Sequence, residues 1–161
     1  MPFDQQKTGA WGGVIRDIKS VVSGLFSGGR LEPEQQIAID VLFSMLGVVA
    51  GADSIVTTHE AEFVNQLMDE IGLSGKGREA AFAAFNSGRR REVDVENDLS
   101  KLLAVYPKGS QEVARVFDSL VRIAAADGRM RPSERVILER ITVKLGYSPE
   151  VLTQRLEQAG F

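Results

Sequence analysis

Apolar residues return at intervals of three and four along almost the whole chain, the spacing that marks one face of a helix. The first stripe is Trp11, Val14, Ile15, Ile18, Val21, Val22, Leu25 and Phe26, and Ser27-Gly28-Gly29 ends it. A second runs Ile37, Val41, Leu42, Met45, Leu46, Val49, entered through Pro33 and closed near Gly51. Proline suits the first turn of a helix because the N–H it lacks has no intrahelical partner there. Thr57 with Glu60 three residues on reads as a capping box for a helix to about Ile71, stopped by Gly72. Ser74 is a candidate cap for a short helix bearing Phe82 and Phe85, which ends at Asn86-Ser87-Gly88. Asp94 plays that part for a helix through Leu99, Leu102, Leu103 and Tyr106, closed by Pro107 and Gly109. Ser110 opens the run Val113, Val116, Phe117, Leu120, Ile123; Pro132 and Glu134 open Ile137, Leu138, Ile141, Leu145; Ser148-Pro149-Glu150 opens Val151, Leu152, Leu156. No segment alternates with period two over any length, so the pattern predicts an all-α bundle of seven or eight helices.

The bundle is built from two similar helix-turn-helix halves. Residues 43–74 slid forward by 74 positions fall on 117–148. Phe43, Leu46, Ala50, Ala52, Asp53, Glu60, Gly72 and Ser74 then meet Phe117, Leu120, Ala124, Ala126, Asp127, Glu134, Gly146 and Ser148. Apolar pairs such as Val56/Met130 and Leu67/Ile141 fill the gaps. Phe117 and Ile137 flank the second turn on apolar stripes and are expected to face the core.

At 161 residues the chain fits one domain, long enough to bury roughly two thirds of the surface its unfolded form exposes. Residues 1–10 show no periodicity and read as a flexible tail, leaving 11–161 as the folded unit. A net charge of −3 and a pI near 5.3 argue against nucleic acid as the main ligand, because phosphate neutralisation needs a concentrated basic face. Between Arg89-Arg90-Arg91 and Glu92, Asp94, Glu96, Asp98 the charge reverses sign within ten residues, the mark of a solvated connector or of a phosphate site. Cysteine is absent, which excludes disulfides and thiolate chemistry and fits a cytoplasmic location. No signal peptide is read at the N-terminus. No run reaches the roughly 18 apolar residues of a spanning helix. The stripe over residues 11–26 has two uses: a face packed on the core, or a surface anchor laid on a membrane, with Arg16 and Lys19 beside it and Asp17 opposing.

Catalysis fails on inventory. His59 is the sole histidine and sits in a capping turn, so no Ser-His-Asp arrangement can be completed. The glycines form no phosphate-cradling motif. What repeats is a carboxylate pair, Asp53 with Glu60 and Asp127 with Glu134. On a continuous helix each pair would stand about 10 Å apart, too far to share one ion. Broken at Gly128, and less strictly at Ser54, each turn can fold its two carboxylates together at the mouth of an αα-hairpin. Hard cations favour such oxygen ligands, calcium or magnesium before zinc, although no EF-hand loop is present. The same residues equally suit a second use. Asp in a turn bonds nearby backbone N–H groups, and Glu in a helix's first turn meets the positive end of the dipole.

Ala52-Asp53 with Val56 and Glu60, and Ala126-Asp127-Gly128-Arg129-Met130-Arg131-Pro132-Ser133-Glu134, resemble the acidic turns of the TerB family. That family includes the tellurite-resistance protein TerB and the TerB-like N-terminal domain of the co-chaperone DjlA. The resemblance covers about residues 35–158 and departs at Ser54, where the family has Gly. It implies a two-half helical bundle, a bacterial cytoplasmic protein often near a membrane, a non-enzymatic role in tellurite resistance or stress response, and a protein partner. It also implies a divalent cation held by Asp53, Glu60, Asp127 and Glu134. With the chain stopping at Phe161 and no J-domain following, the co-chaperone role itself is not expected.

Overall fold

The computed structural model describes residues 16, 19, 32–52, 58–125 and 131–158, with backbone alone for residues 58–61 and 63. Seven helices and no strand lie among them: α1 Pro33–Ala50, α2 Thr58–Ile71, α3 Gly75–Arg89, α4 Val95–Val105, α5 Gln111–Ala124, α6 Pro132–Lys144 and α7 Pro149–Gln158. The helix ends keep the spacing of the sequence repeat. Ala50 and Ala124 close α1 and α5, while Thr58 and Pro132 open α2 and α6, each pair 74 residues apart.

α1 is the axis of the bundle. Pro33 occupies its first turn, and the Glu32 N–H donates to Gln35 Oε1 at 2.9 Å. Beyond Asp40 the helix carries no charge and Ser44 is its one polar side chain, the composition of a helix enclosed by others. Eleven of its eighteen residues are buried. It packs against α3, α4, α5 and α6. Its crossing with α3 brings backbone onto backbone: a Cβ placed on Gly47 would lie 2.1 Å from the Phe85 carbonyl oxygen, and one on Gly88 would lie 2.0 Å from that of Ser44. Only glycine leaves room for such an approach.

The helix boundaries follow local chemistry. Asp94 caps α4 by accepting from Asn97 N at 3.0 Å, and Ser110 caps α5 by accepting from Val113 N at 3.3 Å. Ser74 takes the extended cap conformation before α3, but its hydroxyl makes no capping bond. α2 and α6 end alike. Gly72 and Gly146 adopt φ of +82° and +95°, and the next N–H reaches back five residues, Leu73 to Met68 O at 2.9 Å and Tyr147 to Thr142 O at 3.1 Å. This paired reach-back satisfies carbonyls the helix end would orphan, and the left-handed residue it needs is cheapest as glycine.

Phe43, Phe85 and Phe117 are fully buried, with Leu42, Met45, Leu99, Leu120, Leu138 and Ile141 around them. Phe117 faces the core as its stripe requires, and its ring lies 5.0 Å from that of Tyr147. Ile137 does not share that depth: it is partly buried at the bundle's edge, because Leu138, Ile141 and Leu145 already set the inward face of α6. Buried hydroxyls bond within reach, Ser119 to Arg115 O at 2.7 Å and Thr142 to Leu138 O at 2.6 Å, while Ser44 donates across helices to Asp98 Oδ2 at 2.6 Å.

Arg16 and Lys19 are helical, and Lys19 Nζ lies 3.7 Å from Glu70 Oε2, an exposed pair of small energetic worth. The rest of the 11–26 stripe, read as a core face or a membrane anchor, lies outside the described residues. Among the described residues no helix is long and apolar enough to cross a membrane.

Candidate functional site

Of the four carboxylates singled out in the sequence, Asp53 and Asp127 lie outside the described residues. Glu60 falls in the first turn of α2, with its side chain undescribed. Glu134 falls in the first turn of α6, beside Pro132, and is buried with 9% of its surface exposed. No cluster of three or more potential metal ligands occurs among the described residues.

The flanks of the turns are well defined. α1 ends at Ala50, and the carbonyls of Gly51 and Ala52 that follow accept from the Arg91 guanidinium, Nη2 at 3.2 and 3.1 Å. Arg91 reaches them from the left-handed region, with φ +60°. It is the residue at which the chain turns out of α3: Glu92 N bonds Ser87 O at 2.9 Å and Arg91 N bonds Gly88 O at 3.0 Å, the helix-end pattern seen at Gly72 and Gly146 but with arginine in the glycine position. A positive group on the last carbonyls of α1 also meets the negative end of its dipole. The arginine run is therefore not a uniformly solvated connector; its third member ties the α3–α4 link to the first acidic turn.

Beside this tie lies a groove of about 850 Å³. One wall is the link from Arg91 to Glu96, the other is α6 through Ser133, Val136, Ile137 and Arg140, and Val48 with Ala52 close the α1 end. Ala52 immediately precedes Asp53, and Ser133 immediately precedes Glu134, so the groove borders a neighbour of each acidic turn. Arg140 joins the two walls. Its Nη2 donates to Glu96 Oε1 and Oε2 at 2.9 and 2.8 Å and its Nε to Oε1 at 3.1 Å. These hydrogen bonds hold the Glu96 carboxyl below its ordinary range. The apolar periodicity gave no sign of this groove, since it is made by a charged link and by the outward side of a helix. A signal was present in the unbroken run Val136-Ile137-Leu138, which exceeds what one inward face can hold.

The model of "Tellurite resistance protein TerB" matches residues 39–155. The chain belongs to the TerB family. Within it, the chain is 32% identical over 136 residues to a co-chaperone protein DjlA of Vibrio vulnificus, covering 84% of this chain and 47% of that protein. It is 34% identical over 143 residues to the DjlA of Vibrio cholerae, covering 86% and 50%. With the DjlA of Shewanella oneidensis it shares 29% over 151 residues, covering 92% and 57%. The chain thus spans about half the length of the curated relatives it matches. No solved structure gives a significant match. Membership in the TerB family accounts for the resemblance of both acidic turns and for the all-α architecture.

Proposed function

We propose that this TerB-family chain is a non-catalytic, stress-related interaction module whose acidic turns take up a divalent cation and whose groove engages a protein partner. The observation that carries the reading is the groove itself, with lining residues next to both acidic turns. A change at either turn is then felt where a partner would sit. The co-chaperone names of the relatives support a protein as that partner. The donor set of Asp53, Glu60, Asp127 and Glu134 is all carboxylate oxygen, the chemistry of calcium or magnesium ligation.

Cation binding is tested by melting chelator-treated protein with and without calcium or magnesium. Binding to the native state alone stabilises it by RT ln(1 + [L]/Kd), about 2.7 kcal/mol at a hundredfold excess over Kd. The expected result is a Tm that climbs with added cation and falls with chelator, and an Asp127→Asn variant that has lost the climb. A melt indifferent to calcium, magnesium and zinc would leave the four residues as turn and cap groups. The interaction role is tested separately, by photo-cross-linking in cells from a set of exposed positions spread over the surface. Absence of any defined protein adduct from every position would remove it.

A further inference from the structure

The outer side of α6 carries an exposed apolar strip. Val136 and Val143 are 56% and 58% exposed, and they are the exposed large hydrophobics among the described residues. They lie seven residues apart on one helix, with Arg140 between them at the i+4 position, so they form a single strip about 10 Å long. Opposite this strip Leu138, Ile141 and Leu145 are fully buried. α6 is thus apolar on two sides, the pattern of a helix that is covered on both. The strip begins in the groove, where Val136 and Ile137 face Val48, Val93 and Val95.

Charge selects what covers it. The groove is lined by Glu92, Asp94 and Glu96 against Arg91 and Arg140. Arg140 is bonded to Glu96, and Arg91 to the carbonyls after α1. Arg91 keeps its positive charge on those neutral carbonyls, so with Arg140 and Glu96 paired the exposed Glu92 and Asp94 leave that wall with one net negative charge. Resting on the interaction role proposed above, we infer that the groove and the Val136–Val143 strip dock an amphipathic helix of a partner protein, with an apolar stripe at i, i+3/i+4 and i+7 and lysine or arginine along the flank that meets Glu92 and Asp94. Helix-in-groove recognition uses those anchor spacings, and complementary rim charge sets orientation and association rate.

The test uses the full chain and two labelled synthetic helices of about 18 residues, alike in a leucine stripe, one flanked by lysine and the other by glutamate. Fluorescence anisotropy is expected to show the lysine helix bound at least about tenfold more tightly. Val136→Asp should abolish that binding while leaving the thermal melt unchanged, because the side chain is exposed. Glu92→Lys should narrow or invert the preference. Equal binding of both helices, or binding that survives Val136→Asp, overturns the inference. So does a Val136-dependent dimer in sedimentation, which would make a second copy the occupant, or Val136-dependent pelleting with anionic vesicles, which would make it a lipid surface. Cross-linking in cells separates this from the broader reading. An adduct formed from Val136 with a basic amphipathic helix supports the groove. Adducts formed only from remote positions such as Thr153 sink the groove and leave the interaction role standing.

Discussion

Arg91 holds a backbone conformation that costs an L-residue about 1–2 kcal/mol. Its guanidinium, reaching Gly51 O and Ala52 O, offsets that by satisfying two carbonyls at the end of α1. Two variants pull these effects apart. Arg91→Ala keeps the strained backbone and loses the bonds, so it should cost about 1 kcal/mol in urea unfolding, a figure kept small because the group is exposed. Arg91→Gly loses the bonds but relieves the strain, and should unfold close to wild type. Equal losses would mean that the left-handed backbone plays no part. None of this was legible in the sequence, where three arginines before four acidic residues read as a charged link; a residue's φ is set by the path out of α3, and nothing in its own chemistry announces it. Asp40 gives a second residue-scale expectation. It is half-buried in α1, and burial raises its pKa although Gln36 Nε2 donates to it at 2.7 Å. A raised carboxyl favours the fold below the 3.8 of a free aspartate and withdraws that support as pH rises through its folded value. Asp40→Asn should therefore stabilise at neutral pH, with a gain that shrinks as pH approaches 3.8. A gain that persists undiminished in acid would show that desolvation of the charge is not its cause.

At the scale of elements, the sequence was most readable where one side chain decides one boundary. Pro33, Asp94, Ser110, Pro132, Gly72 and Gly146 sit where their chemistry places them, because caps and left-handed residues act within a single turn. It was least readable where two elements meet. Asn86-Ser87-Gly88 read as the end of a helix and Gly47 carried no signal of its own, yet Gly47 and Gly88 are where α1 and α3 touch backbone to backbone. Ile137 looked like a core residue, yet α6 turns it toward the groove. Pairwise geometry is invisible to periodicity, which reports a face and not the partner of that face. The crossing yields a sharp expectation. Alanine in place of glycine inside a helix ordinarily gains about 1 kcal/mol in propensity. At Gly88 the added Cβ would stand 2.0 Å from Ser44 O, and that oxygen belongs to a backbone which cannot rotate aside. Gly88→Ala and Gly47→Ala should each produce a net loss of about 3 kcal/mol by overpacking, seen as a lower urea midpoint at unchanged slope. Wild-type stability in either variant would show that the helices are farther apart than this crossing.

At the scale of the molecule, duplication and autonomy have to be separated. The two halves share helix ends, terminal glycines and acidic turns, which could suggest two units that fold alone. The packing argues otherwise. α1 belongs to the first half by sequence but is enclosed by α3, α4, α5 and α6, so its burial is completed by the second half. α5 in turn buries Val113, Val116, Phe117 and Leu120, and α1 is among the elements it packs on. A fragment of residues 107–158 would carry α5, α6 and α7 without that axis, exposing apolar surface that about 50 residues cannot bury by themselves. The expectation is a fragment with weak helical circular dichroism and no cooperative melt. Mixing it with residues 1–106 should restore both, since the pieces bury one shared core. The groove gives the same experiment a second readout: its walls come from α6 on one piece and the Arg91–Glu96 link on the other, so binding of the lysine-flanked helix should appear only in the mixture. A cooperative melt of the 107–158 fragment alone would mean that the repeat folds as an independent unit, and that α1 is a shared neighbour without being a shared core.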